Sequence, residues 1–243
     1  MTYQYNYQDH TDDAITVANI YSDTGEMLTI PLDRRIGIIQ NMQAYYKKYD
    51  KLKRAKHLLA VQQEHCTANI RHLESIEASL DSSTRLAEIA EIQDELITSG
   101  YLHEKLPKRS KDRRAHPFSF TAPDGTVILV GKNNAQNDTL TFRTAAPTDI
   151  WLHVRDIPGS HVILRTSGGE PSEQALHLAA QIAAHFSKAR GSSNVPVDYT
   201  AVRFVKKPAG AAPGFVRFIN EKTLFVTEDE DELAPILAQD PTV

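Results

Sequence analysis

Asp149-Ile150-Trp151-Leu152-His153-Val154-Arg155 steps with a two-residue period and runs on into Asp156-Ile157-Pro158-Gly159-Ser160-His161-Val162. A strand repeats its facing every second residue, so Asp149, Trp151, His153 and Arg155 share one side and Leu152 takes the other. Pro158-Gly159-Ser160 is a turn signal, after which His161 to Arg165 reads as the next strand. A sheet is therefore expected around this segment.

Working outward, Phe118 to Ala122 and Thr126 to Gly131 read as a hairpin closed by Pro123-Asp124-Gly125. Downstream, Val197 to Val205, Phe215 to Phe218 and Thr223 to Thr227 are further strand candidates, with Asn220-Glu221-Lys222 turning between the last two. One helix interrupts them. Pro171 to Arg190 opens with proline in its first turn, stops before Gly191, and directs Ala175, Ala179, Ile182, Ala183 and Phe186 to a core. Its Gln174, His177, Gln181, His185 and Lys188 fall on a second stripe that reads as solvated. The acidic run Glu228 to Glu232 likewise reads as a solvated end. The expectation is an α+β domain over 116–230, a mostly antiparallel sheet covered by one long helix, followed by an acidic tail at 231–243.

Before that domain the period changes. Residues 33–104 read as a coiled-coil helical hairpin, because Ile38, Met42, Tyr45, Tyr49, Leu52, Lys56 and Leu59 step by four and three. Cys66, Ile70, Leu73 and Leu80 continue the same seam. Asp81-Ser82-Ser83-Thr84 breaks it with capping residues, and a second helix carries Leu86, Ile89, Ile92 and Leu96 to a left-handed stop at Gly100. At 1.5 Å per residue the first helix would be roughly 65–70 Å long and the second about 25 Å, so the proximal half lacks a partner within the hairpin. Its tyrosines Tyr45, Tyr46 and Tyr49 sit among Lys47, Lys48, Lys51 and Lys53, and a sheet domain, a second copy or another domain would have to cover them. Residues 1–32 add two strand-like runs, Ile15 to Tyr21 and Glu26 to Ile30, a pair too small to stand alone and so the remnant of a larger domain. Residues 105–115 form a basic linker, open to two readings: a solvated hinge or a phosphate-binding arm.

Bulk properties narrow the classes. With 243 residues, 41% hydrophobic and 24% charged, the chain can bury a core and is not a disordered tail. A net charge of -4 excludes a uniformly basic nucleic-acid coat, so any such binding must be local. One cysteine excludes a disulfide framework and a cysteine-built zinc site; Cys66 reads as a seam residue and the compartment as the cytoplasm. The N-terminal residues lack the basic and apolar regions of a secretory signal, and no apolar run reaches membrane-spanning length.

The polar face of the opening strand is where chemistry would concentrate. Trp151 offers an indole to a base, Arg155 a cation to a phosphate or a ring, and Asp149 and His153 hydrogen bonds; the competing reading is a Trp151 in the core with Asp149 paired to Arg155 or His153. The polar loop Lys132, Asn133, Asn134 and Asn137 serves equally as ligand contact or internal bracing. His161, after a backbone-exposing turn, and Lys206 with Lys207 complete the candidate RNA-binding set. His153, His161 and Asp149 alone do not make a metal site, and no nucleophile elbow, phosphate-binding glycine loop or carboxylate pair supports catalysis; neither cofactor nor metal is expected.

Several of these segments together resemble the NFACT family. Gly131-Lys132-Asn133-Asn134, Asp149-x-Trp151-x-His153, Val197-Asp198-Tyr199-Thr200, Lys206-Lys207-Pro208 and Lys222-Thr223-Leu224 look like its C-terminal RNA-binding domain, NFACT-R. Tyr49-Asp50-Lys51-Leu52-Lys53-Arg54 and Gly100-Tyr101-Leu102 look like its middle coiled coil, and the family's N-terminal domain is expected to be absent. The resemblance implies a non-enzymatic factor of ribosome-associated quality control. It would bind the stalled large ribosomal subunit with its peptidyl-tRNA and help recruit tRNA for template-independent alanine tailing, with a separate N-terminal NFACT domain as a further partner and no membrane. The alternatives are a surface fibronectin-binding adhesin, which an older family label suggests, and a structural coiled-coil oligomerisation module.

Overall fold

The computed structural model describes residues 13–103 and 116–239; the basic linker expected at 105–115 lies outside the described residues. The chain divides into two compact units, Met1–Thr67 and Ala68–Val243.

In the first unit, β1 (Ala14–Ala18) and β2 (Met27–Pro31) pair antiparallel from Ala14↔Pro31 to Ala18↔Met27. The long helix α1 (Ile38–Asp81) starts here. Asn41, buried near its N-terminus, accepts from the Asp33 amide at 2.8 Å and donates to the carbonyls of Asp33 and Ile36, which fixes the entry into the helix. The Tyr45 hydroxyl donates to the Pro31 carbonyl at 2.7 Å, tying the strand pair to the helix. Tyr49, Leu52 and Leu59 of the expected seam are exposed, and so is Cys66, which corrects its reading as a buried seam residue.

The second unit holds the last turns of α1, the helix α2 (Leu86–Thr98) and the sheet domain. The hairpin turn lies where the capping residues put it. The Glu88 carboxylate accepts from the amides of Thr84 and Arg85, capping the start of the helix, and Gly100 adopts φ +80° at the exit. The expected seam is displaced, however. Ile70, Leu73, Leu80, Leu86 and Ile89 are exposed; of the expected positions Ile92 is buried, and His72, Ile76, Glu88 and Glu95 are buried with it. The interface is polar: His72 Nε2 bonds Glu95 Oε1 at 2.9 Å, and a period built on apolar residues could not find it.

The fold class is α+β, as expected. Strands β3 (Phe118–Thr121), β4 (Val127–Val130), β5 (Ile150–Val154), β6 (Val162–Leu164), β7 (Val195–Ala201) and β10 (Lys222–Val226) form one antiparallel sheet in the order β10-β7-β5-β6-β4-β3. A short helix α3 (Asn134–Thr139) runs into a π-helical turn, Leu140–Thr144, between β4 and β5. The expected strand to Val205 stops at Ala201, where Val202–Phe204 makes a 3-10 turn; β8 (Val205–Lys206) and β9 (Arg217–Phe218) then pair as a separate ribbon.

Helix α4 (Glu173–His185) covers one face of the sheet, capped by the Ser172 hydroxyl, which accepts from the Ala175 amide. Its Ala179, Ile182 and Ala183 pack with Leu152, Val154 and Val197 in the main core. Gln181 and His185 are buried rather than solvated, because the acidic segment is not a free end: helix α5 (Glu230–Leu237) folds back over them and buries Leu233 and Ile236. Gln181 donates to Glu232 and His185 bonds Glu228 at 2.9 Å. Asp229 caps α5 through the amides of Asp231 and Glu232.

Candidate nucleic-acid interface

The two-residue period of β5 decides what each side of the sheet carries. Leu152 and Val154 enter the α4 core, while Trp151 and His153 face the other way. On that second face Leu140, Ile163, Val202 and Val205 close over the indole. Trp151 is only 1% exposed, so its face cannot serve as an open stacking platform. Its Nε1 is the one buried side-chain nitrogen or oxygen atom without a hydrogen-bond partner among the described residues.

His153 lies parallel to Trp151 with ring centroids 5.7 Å apart, and His161 meets Trp151 edge-on at 5.2 Å. His161 has a defined tautomer. The Gly214 carbonyl, 3.1 Å from Nε2, can only accept, so Nε2 carries the proton and Nδ1 accepts from the Thr141 hydroxyl at 2.8 Å. Burial, assisted by the neighbouring His153, pushes the His161 pKa down to about 3, and burial lowers that of His153. Both rings are therefore neutral near pH 7.

Across the β5–β7 register His153 faces Asp198, which also accepts from the Thr223 hydroxyl at 2.8 Å. Arg155 grips Asp198 with two hydrogen bonds of 3.0 and 2.7 Å and also meets Thr223. Asp149 pairs with neither Arg155 nor His153. It accepts from the amides of Ala146 and Thr166 and lies 3.7 Å from Arg165, bracing a loop.

The polar loop after β4 faces inward. Lys132 is buried, with Nζ 2.9 Å from Glu88 Oε1 and 3.7 Å above the Phe118 ring. Asn133 caps α3 and donates to Glu91 at 2.7 Å, and Asn134 donates to Glu95 at 2.9 Å while accepting from Ser75. Asn137 accepts from the His161 amide at 3.0 Å. Gly131 is required beside it, since a Cβ there would lie 2.1 Å from Asn137 Oδ1. Lys132, Asn133 and Asn134 attach the sheet domain to α2, while Asn137 braces it from within. The carboxylates that receive them, Glu88, Glu91 and Glu95, were missed because spacings of three and four between charged residues also describe a solvated helix face.

The remaining candidates lie on the ribbon. Lys207 pairs with Asp138, whose other oxygen accepts from the Gly214 amide at 2.9 Å, so the ribbon is anchored to α3. Lys206 stands directly opposite Arg217, both exposed, and neither forms an ion pair among the described residues. The inward residues of the same ribbon, Val205 and Phe218, help cover Trp151. Beside them opens a cleft of about 380 Å³. Its floor carries Trp151, His153 and His161, and its walls are Arg71 and Glu74 of α1, the loop at Asp156, and Phe215.

Comparison with known proteins places the chain. Residues 1–115 match the NFACT N-terminal and middle domains, and residues 116–219 match the NFACT protein RNA binding domain. The chain is 44% identical over 223 residues to the Rqc2 homolog RqcH of Bacillus subtilis and 46% identical over 226 residues to that of Streptococcus suis, covering 90% of this chain in each case. It spans 39% of the length of each of these relatives. Coiled-coil domain-containing protein 25 of Mus musculus is 31% identical over 116 residues, 46% of this chain and 55% of that protein. The solved C-terminal part of the fibronectin/fibrinogen-binding protein from Streptococcus suis superposes with a TM-score of 0.72 at 46% identity, over 81% of this chain and 78% of that one. No helix of the described residues is long and apolar enough to cross a membrane. From the paired domain matches and the shared fold it follows that this chain belongs to the NFACT family.

Proposed function

We propose that this chain is a non-enzymatic RNA-binding factor of ribosome-associated quality control, acting in the cytoplasm on the large ribosomal subunit. The observation that carries the reading is the ribbon. Lys206 and Arg217 face each other across an antiparallel pair, and neither has an ion pair among the described residues. Like charges directly opposite cost stability, and a phosphate backbone lying across them turns that repulsion into binding. Arg203, exposed beside the ribbon, extends the cationic surface. Together with the match to an RNA-binding domain and the identity to two RqcH proteins, this supports contact with ribosomal RNA or tRNA. The finer reading is binding to large subunits that retain peptidyl-tRNA, in support of tRNA recruitment and alanine tailing.

Arg155, held by Asp198 and Thr223, contributes less than the unpaired cations, and Lys132, Asn133, Asn134 and Asn137 act by holding the fold. The test is binding of the purified chain to large subunits with and without peptidyl-tRNA. Lys206→Ala with Arg217→Ala is expected to weaken it, and an unchanged affinity refutes the ribbon as the contact. A second reading, adhesion to fibronectin, comes from the name of the Streptococcus suis relative. Binding to immobilised fibronectin that survives the same double substitution would favour it.

A further inference from the structure

We propose that the cleft beside Trp151 receives one unpaired nucleobase of a single-stranded RNA, while the outer face of the ribbon holds the adjoining phosphates. This rests on the RNA-binding reading. Trp151 lines the cleft, and its Nε1 is a buried donor with no protein acceptor. An unmet buried donor is costly to leave, and an acceptor on a ligand entering the cleft would satisfy it. At about 380 Å³ the cleft lies near the small end of ligand sites, suited to a base with its sugar and too small for a longer segment.

Its walls suit a flat, neutral group. The His153 ring and Phe215, both half-buried, offer planar apolar surface. The charges around it are Arg71 and Arg155 against Glu74, Asp156 and Asp198, so the acids outnumber the guanidiniums and a phosphate is disfavoured inside. Both histidines are neutral and add no positive charge. The exposed Glu74 carboxylate leaves an acceptor for an amino group of a base.

The ribbon separates the two parts of a nucleotide. Phe218 turns toward the cleft and Arg217, its neighbour, turns outward beside Lys206. A strand of RNA crossing the outer face can tip one base around the ribbon edge. A base held in a duplex cannot do this, because its edge and faces are occupied.

The test uses the full chain with a labelled single-stranded RNA of about 12 nucleotides and the same sequence as a duplex. Anisotropy reads affinity, and the emission of the single tryptophan reads the cleft. Phe215→Ala is expected to weaken the single strand at least about fivefold and to leave the duplex unchanged, with only the single strand altering wild-type tryptophan emission. Lys206→Ala with Arg217→Ala is expected to weaken both. Equal effects of Phe215→Ala on the two RNAs, or saturating single strand with no change in emission, overturns the base site and leaves the RNA-binding reading intact. Failure of both RNAs to bind overturns both. Should Phe215→Ala not fold, the wild-type emission response decides: a response to the single strand alone supports the site, and a response to both RNAs or to neither overturns it.

Discussion

Replacing Lys132 by methionine tests whether the polar loop after β4 is a structural fastening. Lys132 Nζ and Glu88 Oε1 are 2.9 Å apart with side chains only 6% and 2% exposed. Burial raises the pKa of Glu88, but the Lys132 hydrogen bond and the amides of Thr84 and Arg85 outweigh it, and the net shift is downward. Lys132→Met would leave a charged carboxylate buried, with one oxygen still bonded to amides and the other unmet. Breaking one side of a buried pair costs about 3–5 kcal/mol, and loss of the cation over Phe118 adds about 0.5–2. An exposed pair would cost at most about 1 kcal/mol, so the two accounts are well separated. Urea unfolding followed by tryptophan emission and by circular dichroism measures the loss. Adding Glu88→Gln to Lys132→Met removes the stranded charge while keeping an acceptor for the cap, and should restore about half of it. A single-variant loss below about 1 kcal/mol, or a double variant no better than the single, refutes the reasoning.

Other expectations can be checked alongside. His161 has a folded pKa of about 3 against an ordinary value of 6.5, so it stabilises the fold fully above pH 6.5 and progressively less as pH falls toward 3; the slope is up to about 1.4 kcal/mol per pH unit. Urea unfolding across that range should show this slope, and His161→Gln should flatten it. Gly131→Ala forces Asn137 away from the His161 amide and should cost about 2–4 kcal/mol. Gly125→Ala meets nothing within 4 Å and should cost only the left-handed strain of about 1–2 kcal/mol, a ranking that thermal denaturation reads directly. Removing α5 by a stop codon at Glu230 uncovers Gln181 and should lower the melting temperature, whereas a solvated tail would leave it unchanged.

The sheet was legible because its information is local. Alternation from Asp149 to Arg155 identified β5 and its two faces, and Pro123-Asp124-Gly125 marked the first hairpin. What covers each face was not legible, since Trp151 is closed over by Leu140 and by Val202 and Val205, which approach from two segments about 60 residues apart. The cationic ribbon escaped for a different reason: two residues per strand are too few to show a period. Lys206 stands out as one of the basic residues of the domain and in the family resemblance, but its opposition to Arg217 needed the register. Docking through Glu88, Glu91 and Glu95 was hidden because a buried polar stripe and a solvated one have the same spacing. The acidic first turn of α5 similarly masked Leu233 and Ile236, through which the helix packs on the sheet domain.

The most direct test of the central claim is the salt dependence of binding to purified large ribosomal subunits, compared between the natural chain and Lys206→Ala with Arg217→Ala. Each lost phosphate contact lowers the steepness of log affinity against log salt by about 0.7–0.9, so the double variant should bind more weakly with a slope shallower by about 1.4–1.8. Equal affinity and an equal slope in the two proteins would contradict the assignment of RNA binding to the ribbon.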